Sequence, residues 1–537
     1  MKQVESTSDY GRRWQSLYRP QAFFSAAVVV AVTIATLPGV SPLPTPRGTT
    51  SVRQVAAATR PPVAQTSPAP GNRTTPIVTN SVPGWPMWRH DPLHQGVSTD
   101  TSLSATSAFK LHWSANTAAT TTPTKSYSSP AVVFNSSLGQ WVVYVGNQEG
   151  DMNAYSAITG ALIWSYRVGT PTCGGSKEIE TSPAVSHGVV YFGDGDCHEY
   201  ALDATTGQKI CRSEFPVNGH IAASSTVANP DGTGDVVYFG DSGPNGNLSD
   251  GGHEWAMYGV GNIAGPACGL KWSFDNFGNP PGSQTGISGT YTSQAYGKLA
   301  DGTPVVILGS TDPDNAIYEL NASTGAELWR FQACAPPDCV DADIGAPPTI
   351  AAPGTIGSVG SAAYTDGVVF ETAKSGFTFA IDLKVGSFTP DEKTPIWSFD
   401  IHTLINGSKK NPDPTQSGAS LVGQTLYLGY GKGVFSLNAA TGAVNSGWNN
   451  QPGAVPPISG TTTVTAGVVS SPSISGPPGN QVLFVGDIAG NVEAYRLSDG
   501  ANLFTYSTGG LIFASAGIGD GQFFISSQNG FVYAFGQ

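Results

Sequence analysis

Charge is scarce in this 537-residue chain: only 12% of its residues are Asp, Glu, Lys or Arg. The net charge is −13, and no basic cluster interrupts the body of the sequence. Nucleic acid is therefore not an expected partner, because phosphate binding needs a Lys/Arg-rich face. Thinly spread acidity mainly confers solubility. Cysteine is sparse too. The six are Cys173, Cys197, Cys211, Cys268, Cys334 and Cys339, so none precedes Cys173 and a lipoprotein signal is excluded. Familiar catalytic motifs are missing. There is no Gly-x-Ser-x-Gly elbow. Gly259-Val260-Gly261 and Gly429-Tyr430-Gly431-Lys432-Gly433 neither complete a P-loop nor open a helix, and read as turn glycines. His253-Glu254 lacks the second histidine of a zinc protease. His90 and His94 have ligand-like spacing, but Pro92 between them argues against the helix such spacing needs. Asp231, Asp235 and Asp312-Pro313-Asp314 read as acidic turns rather than calcium sites.

Glycine (67) and proline (40) are abundant instead, the profile of many short strands joined by turns. One phrase recurs. Asn153-Ala154-Tyr155-Ser156-Ala157-Ile158-Thr159-Gly160 returns as Tyr200-Ala201-Leu202-Asp203-Ala204-Thr205-Thr206-Gly207 and as Tyr318-Glu319-Leu320-Asn321-Ala322-Ser323-Thr324-Gly325. It appears again before Gly442 and Gly500. Each copy is a strand running into a tight turn, with an aromatic four residues after the glycine: Trp164, Trp329 and Phe504. Cys211 takes that position after Gly207. Repeats of this size mean a solenoid, propeller or array.

The turn glycines are separated by 47, 118, 117 and 58 residues, so two gaps each hide a degenerate unit. Val236–Gly240 with Leu270–Trp272 fills the first, and Val368–Phe370 with Phe379–Asp382 and Ile396-Trp397 fills the second. The last unit stops at Phe531–Phe535 without its outer strand, while Phe109–Ser114 near the other end resembles an outer strand without a unit. The two ends are expected to complete one blade together, which removes exposed strand edges. The predicted fold is all-β: an eight-bladed propeller of four-stranded antiparallel blades over 85–537. Trp113, Trp164, Trp272, Trp329 and Trp397 are expected to dock each blade on its neighbour over the turn glycines Gly160, Gly207, Gly325, Gly442 and Gly500. A position repeated around the ring is structural, since a ligand site would not repeat.

Ahead of the propeller, residues 1–20 form a polar leader with Arg12, Arg13 and Arg19. Residues 21–40 contain an uncharged apolar run approaching the length of a membrane span. The run lacks a small-x-small cleavage site, so it reads as an uncleaved anchor in preference to a cleaved signal peptide. Residues 41–84 are rich in Pro, Thr and Ser and read as a disordered tether. A single-pass membrane protein with its propeller outside the cytoplasm, or a secreted one, is expected. That compartment favours disulfides. Cys334 and Cys339 bracket a short loop they could close, while the pairing of the other four is left open.

The pattern Ala-Leu-Asp-Ala-x-Thr-Gly-x-x-x-Trp resembles the pyrroloquinoline-quinone (PQQ)-type propeller repeat. Trp85-Pro86-Met87-Trp88-Arg89-His90-Asp91-Pro92-Leu93-His94-Gln95-Gly96 looks like the lead-in many members carry. The family includes quinoprotein dehydrogenases, polyvinyl alcohol dehydrogenases among them, and a cofactor-free scaffold lipoprotein of outer-membrane barrel assembly. The enzyme branch implies a quinone, a calcium ion on oxygen ligands and a carboxylate base. Many of its members also carry two adjacent cysteines, and no two are adjacent here. A haem attachment site is not expected, because Asp194 stands three residues before Cys197-His198.

Propeller ligands usually sit at the channel mouth, on the loops leading into each inner strand. Those loops carry Lys125, Tyr127, Lys177, Glu178, Glu180, His220, the 284–291 segment, Asp338, Asp341, Asp343, Lys409, Lys410 and Asp413. Glu178, Glu180, Asp341 and Asp343 are the candidate catalytic carboxylates, and Lys125, Lys177 and His220 the candidate cofactor contacts. No residue is assigned to a metal, and ordinary solvated loop charge is the plain alternative. The first expectation is a monomeric binding or scaffold module at the cell envelope, taking an envelope protein or a small molecule. The alternative is a PQQ- and calcium-dependent alcohol dehydrogenase.

Overall fold

The computed structural model describes residues 84–537 apart from 107, 119–121, 170–175, 218, 243–251, 276–289, 312–313, 334–342, 358–363, 385–392, 402–416, 431–432 and 450–467. The predicted anchor and tether, Cys173, Cys334, Cys339, Asp338, Asp341, Lys409, Lys410 and Asp413 lie outside the described residues.

Eight antiparallel sheets form the propeller. Blade 1 runs from its inner strand Ala131–Asn135 through Gln140–Gly146 and Asp151–Ser156 to its outer strand Leu162–Arg167. Blades 2 to 5 span 184–212, 226–274, 295–332 and 349–400. Blades 6 and 7 span 420–449 and 473–507. Blade 8 joins Gly517–Gly519, Gln522–Ser526 and Phe531–Gly536 to Lys110–Asn116 from the other end of the chain, as the orphan-strand argument required. Both degenerate units are full blades. Blade 6 has three strands among the described residues, and a short helix, Ser446–Asn449, takes the outer position.

Each blade is held to the next at its rim. Trp113 stacks on Gly160, Trp164 on Gly207, Trp272 on Gly325 and Trp397 on Gly442. The indole Nε1–H donates to the carbonyls of Ala157, Ala204, Ala322 and Ala439 at 2.8–3.1 Å. Only glycine fits there: its φ is near 70° in the left-handed region, and a Cβ on Gly207 would lie 2.6 Å from the Trp164 ring. Trp448 on the short helix makes the same contact with Gly500 and donates to Leu497 O at 2.8 Å. The six-residue offset from Gly442 hid it from the four-residue rule.

Trp329 departs from the expectation. Among the described residues no turn glycine faces it, and the Lys393 ammonium sits over its ring at 4.9 Å, a cation–π contact. At the seam from blade 7 to blade 8, Phe504 meets Phe535 and Phe109 at 5.6 and 6.0 Å.

The lead-in fills the base of the channel. Its carbonyls accept N–H groups from inner strands all round the ring: Val132 to Trp85, Val185 to Pro86, Tyr296 to Pro92, Ile350 to Leu93, Leu421 to Gln95 and Ile474 to Gly96. His94 Nε2 bonds Thr226 Oγ1 at 3.2 Å, and Trp88 Nε1–H donates to Ser515 Oγ at 3.3 Å, so all eight blades are touched. Arg89 lies fully buried at the centre and donates to the carbonyls of Pro472, Ala419 and His94 and to Ser420 Oγ. The backbone must curl tightly to do this, and Arg89, His90 and His94 all have positive φ. The two histidines make separate contacts: burial and the nearby Arg89 push the His94 imidazole down to about 3, and His90 bonds Asp91.

Three outcomes are expected in denaturant titrations. Trp164→Ala destabilises the propeller by about 3–5 kcal/mol, and Gly207→Ala by about 2–4 kcal/mol through backbone strain and the ring clash. Arg89→Ala leaves a buried cavity and takes one donor from carbonyls that keep only Thr349 Oγ1 or Ser420 Oγ, at a cost of about 3 kcal/mol.

Candidate functional site

The channel mouth is built by one repeated device. The loops into six of the eight inner strands each carry an apolar or small residue that buries against a glycine on the second strand of the preceding blade. The pairs are Ile179 on Gly146, Ile221 on Gly193, Thr290 on Gly240, Ile344 on Gly309, Val468 on Gly429 and Ile512 on Gly486. In extended backbone the neighbours of a buried residue point the other way. Glu178 and Glu180 flank Ile179, His220 precedes Ile221, Tyr291 follows Thr290, Asp343 precedes Ile344, and Phe513 follows Ile512. Tyr127 holds the matching place in blade 1. These side chains therefore turn to the mouth.

Below them runs a girdle of serines. The N–H of Ser129 donates to Ser182 Oγ, Ser182 to Ser224, Ser224 to Ser293, Gly418 to Ser471, Ser471 to Ser515 and Ser515 to Ser129, all at 2.7–3.0 Å. Blade 5 has Pro347 at this position. It offers neither hydroxyl nor N–H, so the links on both its sides are missing. The girdle and the plug beneath it make the mouth a closed-ended cup.

The charges sit in two groups. Around blades 2 and 3, Glu180 accepts from Gln148 Nε2 at 3.2 Å and lies 3.8 Å from His220 Nε2. Burial first, and then repulsion from Glu180, hold the Glu178 carboxyl above its usual range, against the pull of its bond from Ser176, His220 and Lys125. On blade 5, Asp343 faces Lys374 Nζ at 3.5 Å, and the Lys374 N–H also donates to the Asp343 carbonyl at 2.9 Å. Both side chains are under 10% exposed. Tyr291 lies between the groups: burial, then the negative fields of Glu180 and Asp343, hold its hydroxyl protonated. Burial, Glu180 and Glu178 do the same to Tyr127, whose ring meets Phe513 at 5.4 Å.

Of the residues singled out from sequence, Lys125, Glu178, Glu180, His220 and Asp343 come together at this mouth. Lys177 does not. It pairs with Glu149 at 3.3 Å in a groove between blades 1 and 2, beside the Arg167–Asp151 bridge of 2.6 Å. Alternation turns it away from the axis while its neighbour Glu178 turns in. Sequence reading missed Lys374. The one available signal was a lysine in a tight Ala-Lys-Ser-Gly turn of a charge-poor chain.

Residues 100–253 match the family described as outer membrane protein assembly factor BamB. No curated protein sequence matches the chain. Among solved structures, the quinohemoprotein alcohol dehydrogenase from Comamonas testosteroni aligns over 85% of this chain and 81% of its own, at 16% identity and a TM-score of 0.58. A europium-containing methanol dehydrogenase aligns over 85% and 98%, at 15% identity and a TM-score of 0.61. The quinohemoprotein alcohol dehydrogenase ADHIIG from Pseudomonas putida HK5 aligns over 84% and 80%, at 16% identity and a TM-score of 0.60. At these identities the likeness is one of fold: an eight-bladed propeller of PQQ-like repeats.

Carboxylates are also buried behind the mouth. Glu199 is fully buried and accepts from Ser225 Oγ at 2.6 Å, and desolvation pushes its carboxyl up to about 8. Glu254, which accepts from Gln294 at 2.8 Å, and Glu371 are raised well above the carboxylate range for the same reason. Unfolded, Glu199 would lose its proton near the ordinary value of 4.5. Between that value and about 8 the unfolded chain binds fewer protons than the folded one, so rising pH favours unfolding. Relative to wild type, Glu199→Gln is expected to gain roughly 4 kcal/mol of stability as pH rises from about 5 to about 8.5. Melting curves of both proteins across that range check it.

Proposed function

We propose that the cup is the active site of a quinoprotein-type dehydrogenase that oxidises alcohols outside the cytoplasm. The observation that carries this reading is the Asp343–Lys374 pair, set in the same mouth as Glu178, Glu180, His220 and Tyr291. A chain with 12% charged residues has gathered two opposed charge groups at one orifice. This concentration of charge supports the alternative of the two sequence expectations.

The residues present fit a planar polyanionic quinone with a cation. Tyr127, Tyr291 and Phe513 offer ring faces and edges, and Lys125 and Lys374 offer positive charge. Glu178 and Glu180 offer carboxylate oxygens whose mutual repulsion a calcium ion would relieve. The quinone, when bound, supplies the oxidising power. Asp343 is the base that takes the alcohol's hydroxyl proton. Lys374 stands 3.5 Å from it, in a buried place where their attraction is weakly screened. The plug and serine girdle close the cup from below, so substrate enters and leaves by the mouth alone. Disulfide bonding of Cys211, Cys268 and Cys197 supports a location outside the cytoplasm, as does the apolar run at 21–40.

The match of 100–253 to the BamB family favours a second reading, a cofactor-free scaffold at the envelope. Calorimetric titration of PQQ with Ca²⁺ into the full-length chain, followed by a dye-linked alcohol oxidation assay, separates the two. One equivalent of heat and turnover are expected. A folded protein with neither would leave the scaffold. Asp343→Asn is expected to keep quinone binding while kcat falls about 100-fold or more.

A further inference from the structure

Among the described residues, seven of the eight seams are closed at the rim by non-covalent contacts and one by a disulfide. Between blades 2 and 3, Cys211 is disulfide-bonded to Cys268. Cys211 stands four residues after Gly207, the place of the docking tryptophan. Cys268 stands four residues before Trp272, the place of the turn glycine. It also adopts the glycine's backbone: its φ is 59°, against 70–75° at Gly160, Gly207, Gly325 and Gly442. The bond therefore occupies the position of the Trp–Gly contact and replaces it. The seam carries no indole-to-carbonyl bond, and Tyr191 Oη accepts the Val260 N–H at 2.9 Å. Elsewhere Tyr144 and Tyr238 at the equivalent position donate to the same carbonyl as the indole, that of Ala204 or Ala322.

The other end of this seam is the mouth. Glu180 belongs to the loop entering blade 2 and His220 to the loop entering blade 3, and they face each other across it at 3.8 Å. Cys211 lies on the outer strand of blade 2, from which the chain runs directly to His220 and the inner strand of blade 3.

We propose that this joint is a redox-operated clasp: oxidised, it holds blades 2 and 3 together and keeps Glu180 against His220; reduced, it opens the seam. Cys211 is partly exposed, so a thiolate can reach its sulfur. A dithiol reductant gives up two electrons and two protons, becoming a disulfide, and leaves thiols at Cys211 and Cys268. Two thiols bury far less surface than an indole, and Cys268 keeps the cost of its left-handed backbone, so nothing equivalent remains to close the rim. The inference concerns the seam and holds whatever the mouth binds.

Hydrogen–deuterium exchange on the full-length chain, with and without dithiothreitol, tests it. Alkylation mass spectrometry verifies that positions 211 and 268 are reduced. Exchange in 199–221 and 254–272 is expected to rise at least tenfold on reduction, while blades 5 to 8 stay unchanged. The variant Cys211→Trp/Cys268→Gly restores the docking pair and is expected to hold these segments closed in dithiothreitol. Cys211→Ser/Cys268→Ser is expected to exchange like the reduced wild type without any reductant. Unchanged exchange in the reduced wild type overturns the proposal. So does a Trp/Gly variant that opens on reduction as wild type does, since the Cys197 bond would then be responsible. If that variant does not fold, the serine pair decides: a closed seam without the bond overturns the clasp.

Discussion

A ring of wedge-shaped sheets stands or falls at its seams, because each blade alone leaves two faces uncovered. The contact that recurs here is an indole laid on the next blade's turn glycine and tied to a carbonyl three residues before it. It demands a residue without Cβ, a left-handed turn and an aromatic at a fixed offset. Those demands generate the repeated phrase in the sequence. Where one is not met, another interaction fills the gap: a lysine over Trp329, a phenylalanine cluster at blade 7, and a covalent bond at Cys211.

The second set of constraints runs round the axis. Serine hydroxyls tie neighbouring inner strands below the mouth, and the lead-in's carbonyls tie them at the base. Arg89 completes this from the centre, sharing the carbonyls of Ala419 and Pro472 with the inner-strand hydroxyls of Thr349 and Ser420. A buried guanidinium is costly, and here only its two terminal nitrogens are bonded. Its place is explained by the number of carbonyls that converge on the axis. The outcome is a channel closed at one end, and hence a cup in place of a pore.

Chemistry is confined to the cup's rim by the same geometry. Alternation about the buried Ile179 or Ile344 decides which loop residues look inward, so Glu178 and Lys177, adjacent in sequence, have unrelated roles. Tyr291 lies within the fields of both Glu180 and Asp343. The raised carboxyls of Glu199, Glu254 and Glu371 form a neutral layer behind the rim, so the charge that matters stands at the opening.

Blade number, the shared closing blade and most rim contacts were legible in the sequence, because they depend on short-range turn chemistry repeated at a countable interval. Glu178, Glu180, His220 and Asp343 were legible as mouth residues for the same reason: each lies four or six residues before an inner strand. The rest depends on long-range packing that leaves no periodic trace. Lys374 becomes part of the site only because blade 5 folds its turn over Asp343. The Cys211–Cys268 pairing is forced by the stacking of two blades, 57 residues apart in the chain. The plug came out of tertiary structure alone. Its residues carry no repeat, and their bonds are made to carbonyls and amides that every sequence has, so only the closed ring determines where they go.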